Sequence, residues 1–396
     1  DKHIVKLRIL LYIWASKVFV FWGLDNIMNE FLKISSAKML GLFTKLFNLV
    51  FLTGIVPRDW TLGVIKPIFK NKGNKEDPNN YRGITILSCF GKLFTSVLNE
   101  RLKKFVETFD LLGQEQTGFR DGYSTLDNLF TLYGIIDILL FKKKRLYCAF
   151  LDYEKAFDKV NRTFLWQKLL QLGVNGKILQ VIMNMYADAK SCVMVNSVDC
   201  SDFFLSKIGV RQGENLSPLM FALFLNDLKD HLGNEMLGLT TVASEAQFVN
   251  MSEADIDVFL KLFVLLYADD TVIFSETVIG LQNGLQLMED YCSIWKLNLN
   301  VKKCKVIIFS RGKVRNIPDF FIGCEKLEVV TDFLYLGLKL NYNNKMFVAQ
   351  KDLCERASRA MFALLKKSNE LMLPVNLVVD LFDKTVLPIL TYGCEV

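Results

Sequence analysis

Three aspartates interrupt apolar runs in this sequence. Asp152 ends the stretch Cys148-Ala149-Phe150-Leu151. Asp269 and Asp270 stand between Val264-Leu265-Leu266-Tyr267-Ala268 and Thr271-Val272-Ile273-Phe274. A carboxylate at the end of a buried strand is costly unless it is paired or bound to a metal. Two adjacent carboxylates at a turn repel each other, which makes a divalent cation a natural partner. The chemistry that wants such acids is nucleotidyl transfer with two metal ions. These lie roughly 3.5–4 Å apart: one activates the attacking hydroxyl and the other neutralises the triphosphate and leaving pyrophosphate. Oxygen ligands suit Mg2+, which keeps several waters and uses substrate phosphates. Plainer readings stand beside this one. Asp152 could cap a helix running through Tyr153-Glu154-Lys155-Ala156-Phe157, and Asp269-Asp270 could be an exposed turn.

The acids need elements to hold them. Leu146 to Leu151 reads as a short buried strand, and Leu262 to Phe274 as two apolar strands joined at Ala268-Asp269-Asp270. Ser191 to Val195 and Phe203 to Val210 read as a hairpin, and Val306 to Phe309 as a further strand. Helical periods run through residues 26 to 52, ended by Gly54 and Pro57, and through Phe90 to Phe105. Others cover Phe164 to Leu172, Ile178 to Met185, Pro218 to His231, Leu281 to Trp295, Val348 to Lys367 and Val375 to Leu390. An apolar run at Val64 to Phe69 leads into a polar loop from Lys70 to Asn80 with strong turn chemistry. Strands and helices alternate irregularly with at least one antiparallel hairpin, so the expected class is α+β.

Composition bounds the rest. With 396 residues, 51% hydrophobic and 23% charged, the chain is globular and long enough for two or three lobes. The net charge of +6 permits a polyanionic partner without demanding one. Nine scattered cysteines form no CxxC pair, and His3 and His231 lie far apart, which argues against a zinc site of usual spacing and suits reduced thiols inside a cell. Ile9 to Leu24 is apolar but short for a span and carries Lys17, so no obligate membrane partner is expected.

Seven segments, in order, resemble the motifs of reverse transcriptases, in the form of non-LTR (LINE-type) retrotransposons. Asn80-Tyr81-Arg82-Gly83-Ile84-Thr85-Ile86-Leu87 is similar to the fingers segment, and Leu151-Asp152-Tyr153-Glu154-Lys155-Ala156-Phe157-Asp158 to the first catalytic motif. Gly209-Val210-Arg211-Gln212-Gly213 with Ser217-Pro218 resembles RQGxxxSP, and Tyr267-Ala268-Asp269-Asp270 resembles YxDD. Asn300 to Lys303 and Cys304 resemble NxxKT, Phe333 to Gly337 resembles FxYLG, and Leu387 to Cys394 resembles VLPxLxYG. The resemblance implies a right-hand polymerase fold: an antiparallel palm sheet backed by helices, fingers, and a partial helical thumb. Laid along the chain, 1–55 is an N-terminal helical segment poorly matched to the family, 56–145 fingers, 146–340 palm and 341–396 the start of the thumb.

Site residues carry over one by one. Asp152, Asp269 and Asp270 are implied to hold two Mg2+ ions, for which Mn2+ can substitute, and Lys303 to protonate pyrophosphate, with Lys302 and Lys305 as competing neighbours. Arg82 matches the arginine that clamps the triphosphate, assisted by Lys70 and Lys72, which could equally be a solvated basic loop. Phe157 matches the aromatic steric gate that excludes a ribose 2′-hydroxyl, against ordinary core packing. Gln212 and Gly213 match the segment against template and nucleotide, and Tyr335, Leu336 and Gly337 the primer grip. The implied activity is RNA-directed DNA synthesis for retrotransposition, with an RNA template, a DNA primer and dNTPs as partners, in cytoplasm and nucleus; oligomeric state stays open. A truncated remnant that only binds nucleic acid is the alternative, motivated by the atypical residues 1 to 25. Another palm polymerase is a third: an RNA replicase, a group II intron maturase or telomerase. The segment Gly233 to Leu262 is rather long and receives no physical account.

Overall fold

The computed structural model describes residues 23–71, 73–195, 199–233 and 264–396. The sequence readings at Ile9 to Trp22, Lys72 and 234–263 therefore lie outside the described residues. In chain order the strands are β1 (Leu62–Phe69), β2 (Tyr81–Leu87), β3 (Leu146–Leu151), β4 (Lys190–Val193), β5 (Phe204–Leu205), β6 (Val264–Tyr267) and β7 (Asp270–Ser275). They continue as β8 (Lys305–Phe309), β9 (Phe321–Ile322), β10 (Glu325–Lys326), β11 (Glu328–Val329), β12 (Asp332–Tyr335) and β13 (Leu338–Asn341).

Contacts group the chain into two compact units. One takes the chain up to Gly113, Lys155–Asn226 and Trp295–Leu297; the other takes Gln114–Glu154, Asp227–Ile294 and Asn298–Val396. The units interleave along the sequence, where the sequence reading laid its segments end to end. Antiparallel pairing between distant strands is the cause, because β3 pairs with both β7 and β8.

The first unit has a four-stranded sheet in the order β2-β1-β4-β5. Helix Ala37–Thr53 is capped by Ser36, whose side chain accepts from the Met39 N–H, and ends at Gly54 with φ +75°. Helix Cys89–Thr108 is capped by Ser88 in the same way. Phe47, Trp60, Phe90 and Phe94 pack together between these segments, with ring centroids 5.1–5.8 Å apart. The expected strand Phe203 to Val210 shrinks to Phe204–Leu205, because the chain then turns inward to present carbonyls to buried Arg162. Pro218 to His231 is not one helix. It divides into Ser217–Phe224 in this unit and Leu228–Gly233 in the other.

The second unit has a five-stranded sheet in the order β11-β8-β3-β7-β6. All six residues of β3 are buried, as expected for a central strand covered on both faces. Cys148 and Phe150 share a core with Val272, Phe274, Ile307 and Phe309 from neighbouring strands. Helix Thr125–Phe141 supplies Leu129, Leu132, Ile135, Ile136 and Leu139 to the same core, and hairpin β12–β13 supplies Tyr335, Leu338 and Leu340. The sequence reading missed this helix. Its segment is apolar nearly all round, with no polar face to reveal a period. Among the described residues, no helix is long and apolar enough to cross a membrane.

Candidate active site

Strand register brings the acids together. Leu151 pairs with Thr271, so the next position outward sets Asp152 across from Asp270 on the adjoining strand. Side-chain alternation gives Asp152 the face of Cys148 and Phe150, and Asp270 the face of Val272 and Phe274. Asp269 lies in the two-residue turn between Tyr267 and Asp270. Asp152 does not cap a helix: the following short helix, Ala156–Lys159, has Lys155 at its N-cap.

A second segment fixes the end of β3. The Asn300 N–H donates to the Asp152 carbonyl at 2.8 Å, and the Glu154 N–H to the Asn298 carbonyl at 2.8 Å. The Asp152 N–H approaches Cys304 Sγ at 3.4 Å. This places Lys303 Nζ 2.8 Å from Asp152 Oδ2. Lys305 is turned away, 2.9 Å from Glu328 and 2.7 Å from the Lys302 carbonyl. Of the two, Lys303 is the ammonium at the acids.

The electrostatics follow. Asp270 keeps an open face to solvent, but loss of water on its inner side raises its pKa to about 6. The charges of Asp269 and Asp152 push the same way, and Lys303 opposes them. Three neighbouring carboxylates offer hard oxygen donors, so the set fits a divalent cation. As they stand, no three His, Cys, Asp or Glu side chains among the described residues close around a single metal position.

The hairpin carrying Asp269 is held by residues that the sequence reading did not single out. Ala268 has a left-handed backbone, φ +59°. Its N–H donates to Gln116 Oε1 at 3.2 Å, and the Gly118 N–H donates to the same oxygen at 3.0 Å. The Leu266 N–H donates to the Glu115 carbonyl at 2.9 Å and the Thr117 N–H to the Leu266 carbonyl at 3.1 Å, as in a parallel ladder. Asn128 Nδ2 also donates to the Leu266 carbonyl, at 3.1 Å. No periodicity betrays this segment; the Gly118-Phe119-Arg120 turn following Gln116 was the available signal.

The residues expected to form a primer grip lie at the turn of hairpin β12–β13. Tyr335 pairs with Leu338, and Leu336 and Gly337 both have positive φ, +44° and +84°. Tyr335 is 3% exposed, its ring 5.3 Å from that of Phe150. Burial pushes its hydroxyl pKa far up, and the Asp270 charge adds to this. The Leu336 carbonyl accepts from the Tyr392 hydroxyl at 2.6 Å, and the Gly337 carbonyl from Arg356 at 2.6 Å.

The remaining predicted residues belong to the first unit. Arg82 is exposed on β2, paired with Ile68 of β1. Lys70 is exposed, and its ammonium donates to the Asn79 carbonyl at 2.9 Å. Phe157 is half-buried and stacks on Phe221, centroids 4.8 Å apart. The Gln212 carbonyl accepts from the Thr85 N–H at 2.9 Å. Gly213 has φ +107°, and an added Cβ would lie 2.9 Å from the Thr85 carbonyl oxygen. Arg211 turns inward instead, donating to the carbonyls of Trp60, Thr61 and Met185. Glu214, 3% exposed, accepts from the Tyr186 hydroxyl.

Residues 70–340, more than half of the 396, match the family model described as reverse transcriptase (RNA-dependent DNA polymerase). The chain belongs to the reverse transcriptase family. The right-hand polymerase fold implied by its motifs goes with that membership, and its kinship is with non-LTR retrotransposon enzymes. The probable RNA-directed DNA polymerase from transposon X-element of Drosophila melanogaster is 24% identical over 390 residues, covering 94% of this chain and 39% of that protein. The probable RNA-directed DNA polymerase from transposon BS of the same species is 26% identical over 281 residues, covering 71% of this chain and 29% of that protein. This reverse transcriptase chain thus spans 29–39% of the length of those two relatives. A solved apo telomerase from Candida Tropicalis, truncated from its C-terminal domain, is similar with a TM-score of 0.44 and 17% identity, covering 79% of this chain and 63% of that one.

Proposed function

We propose that the chain is an RNA-directed DNA polymerase that extends a DNA primer 3′-hydroxyl with dNTPs on an RNA template, in the service of retrotransposition. The observation that carries this reading is the register that sets Asp152 across from Asp270, with Asp269 in the adjoining turn. Asp152, Asp269 and Asp270 would hold two Mg2+ ions, or Mn2+ in their place. When bound, the metals supply activation of the 3′-hydroxyl and neutralisation of the departing pyrophosphate.

The chain's own residues do the rest. Lys303 offsets the charge of Asp152 and is the proton donor to pyrophosphate. Arg82 presents its fork to the triphosphate, with Lys70 and Lys72 assisting. Phe157, backed by Phe221, sterically excludes a 2′-hydroxyl. Gln212 and Gly213 face template and nucleotide, and the turn at Tyr335, Leu336 and Gly337 supports the primer end. In this reading the segment 56–145 acts as fingers, 146–340 as palm and 341–396 as thumb, working on nucleic acid in cytoplasm and nucleus.

Primer extension on poly(rA)/oligo(dT) with dTTP and Mg2+ or Mn2+ tests the proposal. Product from the wild type, abolished by Asp269→Asn, is the expected result. Retention of template and primer without extension in either metal would leave the binding-only remnant as the surviving reading. That reading draws on Asp152 being ion-paired with Lys303.

A further inference from the structure

We propose that Gln116 is a positioning residue for the aspartate turn. Its side-chain carbonyl fixes the backbone of Ala268 and thereby the direction in which Asp269 and Asp270 leave the hairpin. The proposal rests on the reading of those two aspartates as metal-holding groups.

A two-residue turn with a left-handed alanine is not a self-sufficient structure, because a Cβ disfavours that conformation. Something must over-determine it. Gln116 is 1% exposed and uses one oxygen to receive both the Ala268 and the Gly118 N–H. The two donors settle the amide's orientation: turned over, its NH2 would face two N–H groups. The cost is visible at the other end, where Gln116 Nε2 is buried with no partner among the described residues. A polar side chain held this way serves the turn rather than its own hydrogen-bonding balance.

Gly118 points to the same conclusion independently. A Cβ there would lie 2.3 Å from the Ala268 nitrogen, so only glycine lets the Gln116 segment approach the turn so closely. Thr117 Oγ1 donates to Asn128 Oδ1 at 3.0 Å, and Lys229 pairs with Glu115 at 3.0 Å, which anchors the segment from both sides. The Glu115–Gly118 stretch is thus a rail beside β6, and Gln116 is its contact with the acids' own turn.

The test compares Gln116→Met, which keeps volume but removes the acceptor, with Gln116→Glu, which restores one. In primer extension, Met at this position is expected to lower kcat about a hundredfold with KM for dTTP within about threefold, because small misplacements of reacting groups are that costly. Glu is expected to recover most of the loss. In the 15N-alanine-labelled chain, the Ala268 amide should shift upfield in the Met variant and return in the Glu variant. Wild-type kcat in the Met variant, or an unmoved Ala268 amide, overturns the proposal. Should the Met variant fail to fold, hydrogen exchange in the wild type decides: a slowly exchanging Ala268 amide supports the clamp, and a freely exchanging one defeats it. If the wild type shows no extension at all, the functional reading fails, while the amide measurements still judge the clamp.

Discussion

In the loop from Gly209 to Ser217, buried charges meet partners. Arg211 gives its guanidinium to three backbone carbonyls, Arg162 binds the Gly209 carbonyl, and Glu214 takes the Tyr186 hydroxyl. Around the β6–β7 hairpin like charges crowd together instead. Three carboxylates crowd near the ammonium of Lys303, which pairs with Asp152, and burial together with the neighbouring charges raises the pKa of Asp270 to about 6. Both segments carry equally recognisable motifs, yet one motif arginine is scaffold and the motif aspartates are left under electrostatic tension. A charge enclosed among its own chain's carbonyls holds structure; crowded like charges suit a cationic ligand.

The sharpest way to break that contrast is to remove charge at each place. Asp269→Asn should cut primer extension about a thousandfold or more, as loss of a transition-state electrostatic contact does, while leaving the melting temperature unchanged or higher. A large drop in melting temperature would mean that the acid is structural. Arg211→Met should do the reverse, destabilising the chain by about 3 kcal/mol in denaturant titration because buried carbonyls lose their donor. An unaffected midpoint would show that those carbonyls find water instead.

Phe157→Val should relax discrimination between dTTP and UTP by about tenfold to a hundredfold, measured as the ratio of kcat/KM values. Unchanged discrimination would leave Phe157 as packing for Phe221 alone. The smallest effect concerns pH. The folded pKa of Asp270 lies above its ordinary value of 3.8, so without metal this group favours the folded state below about pH 4 and loses that contribution as pH rises through 6. A bound cation should reverse the penalty. The thermal shift produced by Mg2+ should therefore be larger at pH 7 than at pH 5, and equal shifts would place the cation elsewhere.

Much of this site was legible because each aspartate breaks an apolar run, and a run interrupted by charge shows in one dimension. The competition among Lys302, Lys303 and Lys305 was not, since only the pairing of Asn300 with Asp152 decides which ammonium reaches the acid. Helix Thr125–Phe141 stayed hidden because burial on most sides erased its period. Gln116 and Gly118 were invisible for a different reason: their role lies in one side-chain oxygen and one missing Cβ, neither of which leaves a pattern. The inward turn of Arg211 could not be foreseen either, because a motif arginine and a motif glutamine look alike until their partners are known.

The interleaving of the two units has a consequence for biosynthesis. β3 emerges from the ribosome with six residues destined for complete burial, but its partners β7 and β8 end at Ser275 and Phe309. At ordinary translation speeds that delay is roughly 6–30 s. Throughout it, the nascent chain exposes an unpaired apolar strand of the kind that recruits holdase chaperones or aggregates.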